Sequence, residues 1–179
     1  AGKGIKLLKE AGIEVFVGLC SEEAKNINFG FLKRINYGLP TVSLKIASSL
    51  DGKIGCHNGE SKWITGELAR TYGHILRAKY DVIVSGINSI LKDNSNLNCR
   101  IKGLEKHSPV KVIVDTNLSI PLSSNVLKNI NETPVIIFTS KCSNKNKKLK
   151  LRKMGIEILE ISKYKNNFLN LNYGLRELS

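Results

Sequence analysis

With 179 residues, 41% of them hydrophobic, the chain can bury one real core, which excludes wholesale disorder. Its 28 Lys and Arg against 15 Asp and Glu leave a formal charge of +13, suited to anionic partners: a nucleic-acid backbone or small anionic substrates. No apolar run approaches the ~20 residues of a spanning helix and no signal-peptide pattern precedes the first strand, so the expectation is a cytoplasmic protein with no membrane partner.

Taken in chain order, residues 4–10 read as the end of a helix and "IEVFVG" (13–18) as a strand. Ser21 is placed as an N-cap, with Glu22 and Glu23 at the positive end of a short helix. "NFGFLKRINYGLP" reads as a Gly/Pro-punctuated connection and a domain boundary ending at Pro40. "TVSLKIAS" then predicts a strand with Val42, Leu44 and Ile46 on one face, and Asp51-Gly52 a turn. Thr65 can cap a helix over 66–79 whose buried stripe is Leu68, Tyr72, Ile75 and Leu76.

Residues 81–86 read as a buried strand and about 93–108 as a polar loop. "VKVIVD" (110–115) and "PVIIFTS" (134–140) are near-continuous apolar strands. A basic helix ends near Gly155, a C′ glycine, before the strand "IEILEI". Strands alternating with helices imply an α/β domain with a largely parallel sheet. The ends of the chain open and close in mid-pattern, without an initiator methionine, and the expectation is a segment of a longer protein.

Ligands of such sheets sit beyond the carboxyl ends of the strands. That rule selects 47–63, 85–100, 115–120 and the residues after 139. The first of these ends at the lone tryptophan, Trp63, within the run 49–70 that holds four glycines and a helix start. Pattern alone leaves Trp63 as a core plug or as a stacking wall. On the following helix Arg70, His74 and Arg77 share a face, and Arg100 closes the next loop. Such guanidiniums either hold a phosphate or an anionic ring, or are ordinary surface charges. Ser61 and Thr65 offer hydroxyls for capping or for a ligand oxygen, and Asp93 is a turn residue or an acceptor.

The densest basic run, "SNKNKKLKLRK" (143–153), has no interleaved aromatics to stack bases and reads as a solvated helix face. Cys20, Cys56, Cys99 and Cys142 lie far apart, and His57 with Glu60 is H-x-x-E rather than H-x-E, so no metal site is expected. No nucleophile–base pair suggests itself.

The pieces "LKIASSLDGKIGCHNGESKWITGELAR", "LRAKYDVIVSGINSILKDNSNLNCR" and "VKVIVDTNLSIP", in that order, resemble the reductase domain of the bifunctional riboflavin-biosynthesis deaminase/reductase. The preceding 40 residues are similar to the tail of that protein's deaminase domain. The resemblance implies a dihydrofolate-reductase-like fold, a mostly parallel sheet flanked by helices, occupying 40–179 and incomplete at its C-terminus. Residues 1–39 would be a deaminase remnant and linker.

The implied reaction is NADPH-dependent reduction of the ribosyl side chain of 5-amino-6-(5-phosphoribosylamino)uracil to the ribityl form. Zinc would belong only to the deaminase part of the parent protein. By position, Ser61, Arg77, Leu97 and Arg100 resemble substrate contacts, with the arginines on the phosphate. Ala47, Trp63, Ser89, Asp93 and Thr116 resemble the cofactor side, and Lys45 and Asp51 would line the reaction centre. The implied partners are the phosphorylated pyrimidine and further copies of the chain, a dimer or larger, with no specific nucleic acid. Ser95 and Asn98 depart from the family's D-x-P-x-L-T-x-R loop, and its V-E-G-G-type segment, with a substrate-binding glutamate, is expected about where the chain stops. A basic nucleic-acid-binding module and an inactive gene fragment stand as alternatives.

Overall fold

A computed structural model describes residues 2–164 and 166–179. The chain divides into two compact units, residues 1–42 with Leu178 and Ser179, and residues 43–177.

The first unit is three short helices, α1 (Lys3–Glu10), α2 (Ser21–Ile27) and α3 (Phe29–Tyr37), none of which buries a residue. Two expectations fail here. "IEVFVG" forms no strand, because a β-branched run needs a ladder partner and none of the described residues pairs with it. "NFGFLKRINYGLP" is helical rather than a connection. Gly30 is absorbed inside α3, and Gly38 ends it at φ +60° with its N–H donating to the Arg34 carbonyl. Ser21 is the first residue of α2 rather than its cap; Cys20 holds the cap position.

The second unit contains α4 (Glu67–Lys79), β1 (Val82–Gly86), α5 (Ile87–Asp93), β2 (Val110–Val114), β3 (Val135–Ser140), α6 (Lys145–Lys153), β4 (Glu157–Ile161) and α7 (Leu171–Glu177). The four strands form one parallel sheet in the order β1-β2-β3-β4. Each crossover between parallel neighbours needs a long return path, supplied by α5 and its loop between β1 and β2, by residues 115–134 between β2 and β3, and by α6 between β3 and β4. β2 and β3 carry apolar side chains on both faces, and Val112, Ile113, Ile137 and Phe138 are almost wholly inaccessible. Ile90, Leu118, Val126, Leu151 and Ile156 complete the core from the flanking helices and loops.

At the last helix Gly174 lies so close to the sheet that a Cβ there would stand 2.5 Å from Phe138 Cε2. Gly155 turns the chain after α6 at φ +85°, as the sequence predicts for a C′ glycine.

α6 is solvated over most of its length, with Lys145, Lys150, Arg152 and Lys153 exposed, but Lys148 and Leu151 are buried. Lys148 points inward, pairs with Glu160 at 2.9 Å and donates to the Lys141 carbonyl. The Lys148 bond, helped by Arg152, holds the Glu160 carboxyl below the ordinary carboxylate range. The helix is capped by Asn144, whose side chain accepts from Lys147 N–H.

Residues 41–48 form no strand and pair with none of the described residues; Leu44 and Ile46 face solvent. Strand propensity reports how side chains fit a paired, half-buried surface, which these exposed residues do not have. The stripe expected on α4 is likewise bare: Leu68, Tyr72 and Ile75 are exposed and only Leu76 is half-buried. Gly66 rather than Thr65 caps that helix, with no side-chain bond.

Candidate active site

The geometry of the site follows from where α4 meets the loop after α5. Arg77, His74 and Arg70 occupy successive turns of α4, as their spacing dictates. The loop 94–100 is shaped by two left-handed residues, Asn94 at φ +45° and Leu97 at φ +56°. Leu97 turns its side chain into the core, so only its backbone faces outward, and Cys99 is buried beside it. The loop is thereby pressed onto α4. Arg77 Nη1 donates to the Asn98 carbonyl at 2.8 Å, and Cys99 Sγ donates to the His74 carbonyl at 3.5 Å.

Arg100 closes this contact from the other side. Its backbone N–H donates to His74 Nδ1 at 3.3 Å, and its guanidinium lies 3.4 Å from His74 Nε2. The structure thus brings Arg77 and Arg100 together around an imidazole. Burial, then the charges of Arg77 and Arg100, push His74 below its ordinary pKa, so it is neutral near pH 7. Arg77 is lowered by burial and then by Arg100. A guanidinium keeps its proton regardless, so the lowering measures the cost of its charge in that place. Among the described residues no carboxylate forms a salt bridge with either arginine. An oxyanion here would relieve two cations at once.

Arg70 does not join this group. It stacks on Trp63, 4.4 Å from the ring centroid, and donates to the Thr65 carbonyl. Trp63 is 70% exposed, which settles the core-plug alternative against it. An indole with one face backed by a guanidinium and the rest open is a platform for a flat ligand.

The remaining residues divide between two places. Ser89 and Asp93 lie on one face of α5, four residues apart, and both are exposed. Thr116 follows β2; its carbonyl accepts from Ser140 N–H and Thr139 Oγ1, leaving the side chain half-buried. Because Gly86 pairs with Val114, the carboxyl ends of β1 and β2 are level and open toward the same side of the sheet.

Asp115, not singled out in the sequence, pins that edge. Its buried carboxylate accepts from Ser119 N–H, Ser119 Oγ and Ile120 N–H. The signal was the Asp with a serine four residues on, a local acceptor followed by its donors. Lys45 and Ala47 sit on the 41–48 segment, Lys45 passing α4 at Gly73. Asp51 accepts from Ser49 Oγ within its turn, and Ser61 is exposed on the loop before Trp63. Among the described residues no hydrogen bond or ion pair links Lys45, Asp51 or Ser61 to the arginine pair.

The family model described as the RibD C-terminal domain matches residues 40–179. The riboflavin biosynthesis protein RibD of Aquifex aeolicus is 40% identical over 178 residues, covering 99% of this chain and 48% of that protein. A Thermotoga maritima structure, titled diaminohydroxyphosphoribosylaminopyrimidine deaminase/5-amino-6-(5-phosphoribosylamino)uracil reductase, superposes with a TM-score of 0.75 at 32% identity, covering 99% of this chain and 46% of that one. RibD of Acinetobacter baumannii gives 0.76 at 35% identity, with 98% and 48% covered. The chain spans about half the length of the curated relatives it matches.

Proposed function

This chain belongs to the RibD C-terminal domain family, and from that premise we propose that it is the reductase part of a riboflavin-pathway enzyme. Its substrate is 5-amino-6-(5-phosphoribosylamino)uracil, and the product carries the ribityl side chain. Residues 40–179 form the reductase domain and 1–39 the end of a deaminase domain; any zinc belongs to the deaminase part. The observation that carries this reading is the arginine pair. Arg77 and Arg100 converge on neutral His74 with no carboxylate salt-bridged to them among the described residues, as a phosphate site requires.

The donor set also fits a reduced nicotinamide dinucleotide, NADPH. Trp63 offers an open aromatic face, and Ser89, Asp93 and Thr116 offer hydroxyl and carboxylate groups along the open edge of the sheet. When bound, the nicotinamide supplies a hydride equivalent for the first carbon of the opened sugar; a proton completes the reduction. The protein's part is placement. Arg77 and Arg100 hold the phosphate, the backbone at Leu97 and the Ser61 hydroxyl bracket the sugar and base, and Ala47 with Trp63 confines the ring. Lys45 and Asp51 are the groups assigned to the reaction centre, where an ammonium can deliver the proton.

Calorimetry with the phosphorylated pyrimidine and with NADPH separately tests the assignment. Arg100→Ala should weaken substrate binding by about tenfold or more, the loss of a charge-assisted pair, with NADPH affinity unchanged. Equal affinities for the substrate in both proteins would remove Arg100 from the phosphate site.

A further inference from the structure

A polar cavity borders the loop that Arg77 holds. It has a volume of about 300 Å³ and is lined by Asn98, Lys111, Asn125, Lys128, Asn129 and Glu132, among others. Lys111 and Asn98 are the chemically unusual members.

Lys111 lies near the start of β2 and is only 3% exposed. An ammonium has three protons to give, yet its one hydrogen bond goes to the Val126 carbonyl at a long 3.4 Å. Burial lowers its pKa, with the Glu132 charge acting the other way. Asn98 Oδ1 is fully buried and has no hydrogen-bond partner. A buried acceptor left without a donor costs about 1–3 kcal/mol, and Lys111, lining the same cavity, holds N–H groups beyond the one it uses, so the lining has capacity for an occupant that both accepts and donates.

The charge of the lining sets the class of occupant. Two ammonium groups, Lys111 and Lys128, face one carboxylate, Glu132, leaving one positive charge in excess. The asparagine amides around them can each donate or accept, and so can follow hydroxyl or amide groups next to an anion. Asn98 extends that amide lining. His74, Arg77 and Arg100 are not among the residues that line the cavity, which is therefore distinct from the phosphate site proposed above.

We propose that this cavity is a second ligand site, taking a small molecule that bears one oxyanion, a carboxylate or a phosphate ester, held by Lys111 and Lys128, with a hydroxyl or N–H of the same molecule donating to Asn98 Oδ1. The proposal does not depend on the reductase reading.

The amide NMR spectrum of the full chain, titrated with inorganic phosphate, acetate and neutral acetamide, tests it. Phosphate, acetate or both should move the signals of Lys111, Asn125 and Asn129 and saturate in the millimolar range, and acetamide should not. The anion that saturates first names the source, phosphate ester or carboxylate. Lys111→Met should abolish the shifts, and Lys128→Gln, at an exposed position, should weaken them about tenfold without endangering the fold. Shifts confined to His74 and Arg100 that survive Lys111→Met report the phosphate site and would overturn the second one. So would silence of the cavity signals to both anions, an equal response to acetamide, or an undiminished response in Lys128→Gln.

Discussion

Two guanidiniums can approach one point because the ring between them is uncharged. His74 accepts from the Arg100 backbone and faces Arg77 one turn along α4, so a proton added there meets two positive neighbours. Its pKa lies below 6.5, and a bound phosphate would raise it. Binding therefore takes up protons, and affinity rises as pH falls through the pKa of the complex, levelling off below that of the free protein. Stability has the opposite sign: the unfolded chain binds the proton more readily, so folding weakens as pH drops from 6.5 toward the folded-state value. Calorimetry in two buffers of different ionisation enthalpy should show proton uptake on substrate binding that shrinks in His74→Gln. Identical uptake in the two proteins would remove His74 from the linkage.

Trp63 supplies a second residue-scale prediction, because it is the only tryptophan and its emission reports one place. Trp63→Ala should weaken NADPH binding by about tenfold, an aromatic stacking contribution of roughly 1 kcal/mol or more, while the thermal midpoint hardly moves. In the native protein NADPH should quench the indole. Large destabilisation with unchanged cofactor affinity would contradict its exposure.

Among the elements, those that were legible in the sequence are the ones whose stability is written in their own residues. β2 and β3 are continuous apolar runs bounded by polar turns, and they form as read. The Arg70, His74 and Arg77 spacing gave a shared helix face, but not that Arg70 would be drawn aside by Trp63, since stacking is a tertiary event. The inward turn of Lys148 was equally invisible, because its partner Glu160 lies on another element. Residues 41–48 carry a strand pattern without a strand, and α3 is a helix punctuated like a loop, each a case of context overriding local signal.

α7 shows what a single contact between elements is worth. Gly174 lets the helix rest on the sheet, where an added Cβ would fall 2.5 Å from Phe138 Cε2 and 2.8 Å from Ile161 Cδ1. Both partners are fully buried and have little room to retreat. Gly174→Ala should therefore destabilise by about 1–3 kcal/mol through overpacking, despite the higher helix propensity of alanine. The shift of the urea midpoint measures it, and a gain in stability would show that α7 can lift away from the sheet.

At the scale of the whole molecule, two effects on self-association oppose each other. In the 43–177 unit, β1 is an edge strand among the described residues, with Val84 48% exposed, and Leu44, Ile46, Leu68, Tyr72 and Ile75 are also uncovered. An unpaired edge beside bare apolar side chains invites a second chain to add to the sheet. Against this stands the formal charge of +13, which drives copies apart over a screening length of about 10 Å at 0.1 M salt and about 3 Å at 1 M. Added salt should therefore promote association, the reverse of its effect on a contact made of ion pairs. Sedimentation velocity at low and high salt should show the larger species growing with ionic strength. Val84→Lys, placing a charge on the open edge, should suppress that growth at every salt concentration. Association that is insensitive to both salt and the lysine would locate the contact away from β1, and association that fades with salt would make it electrostatic instead of apolar.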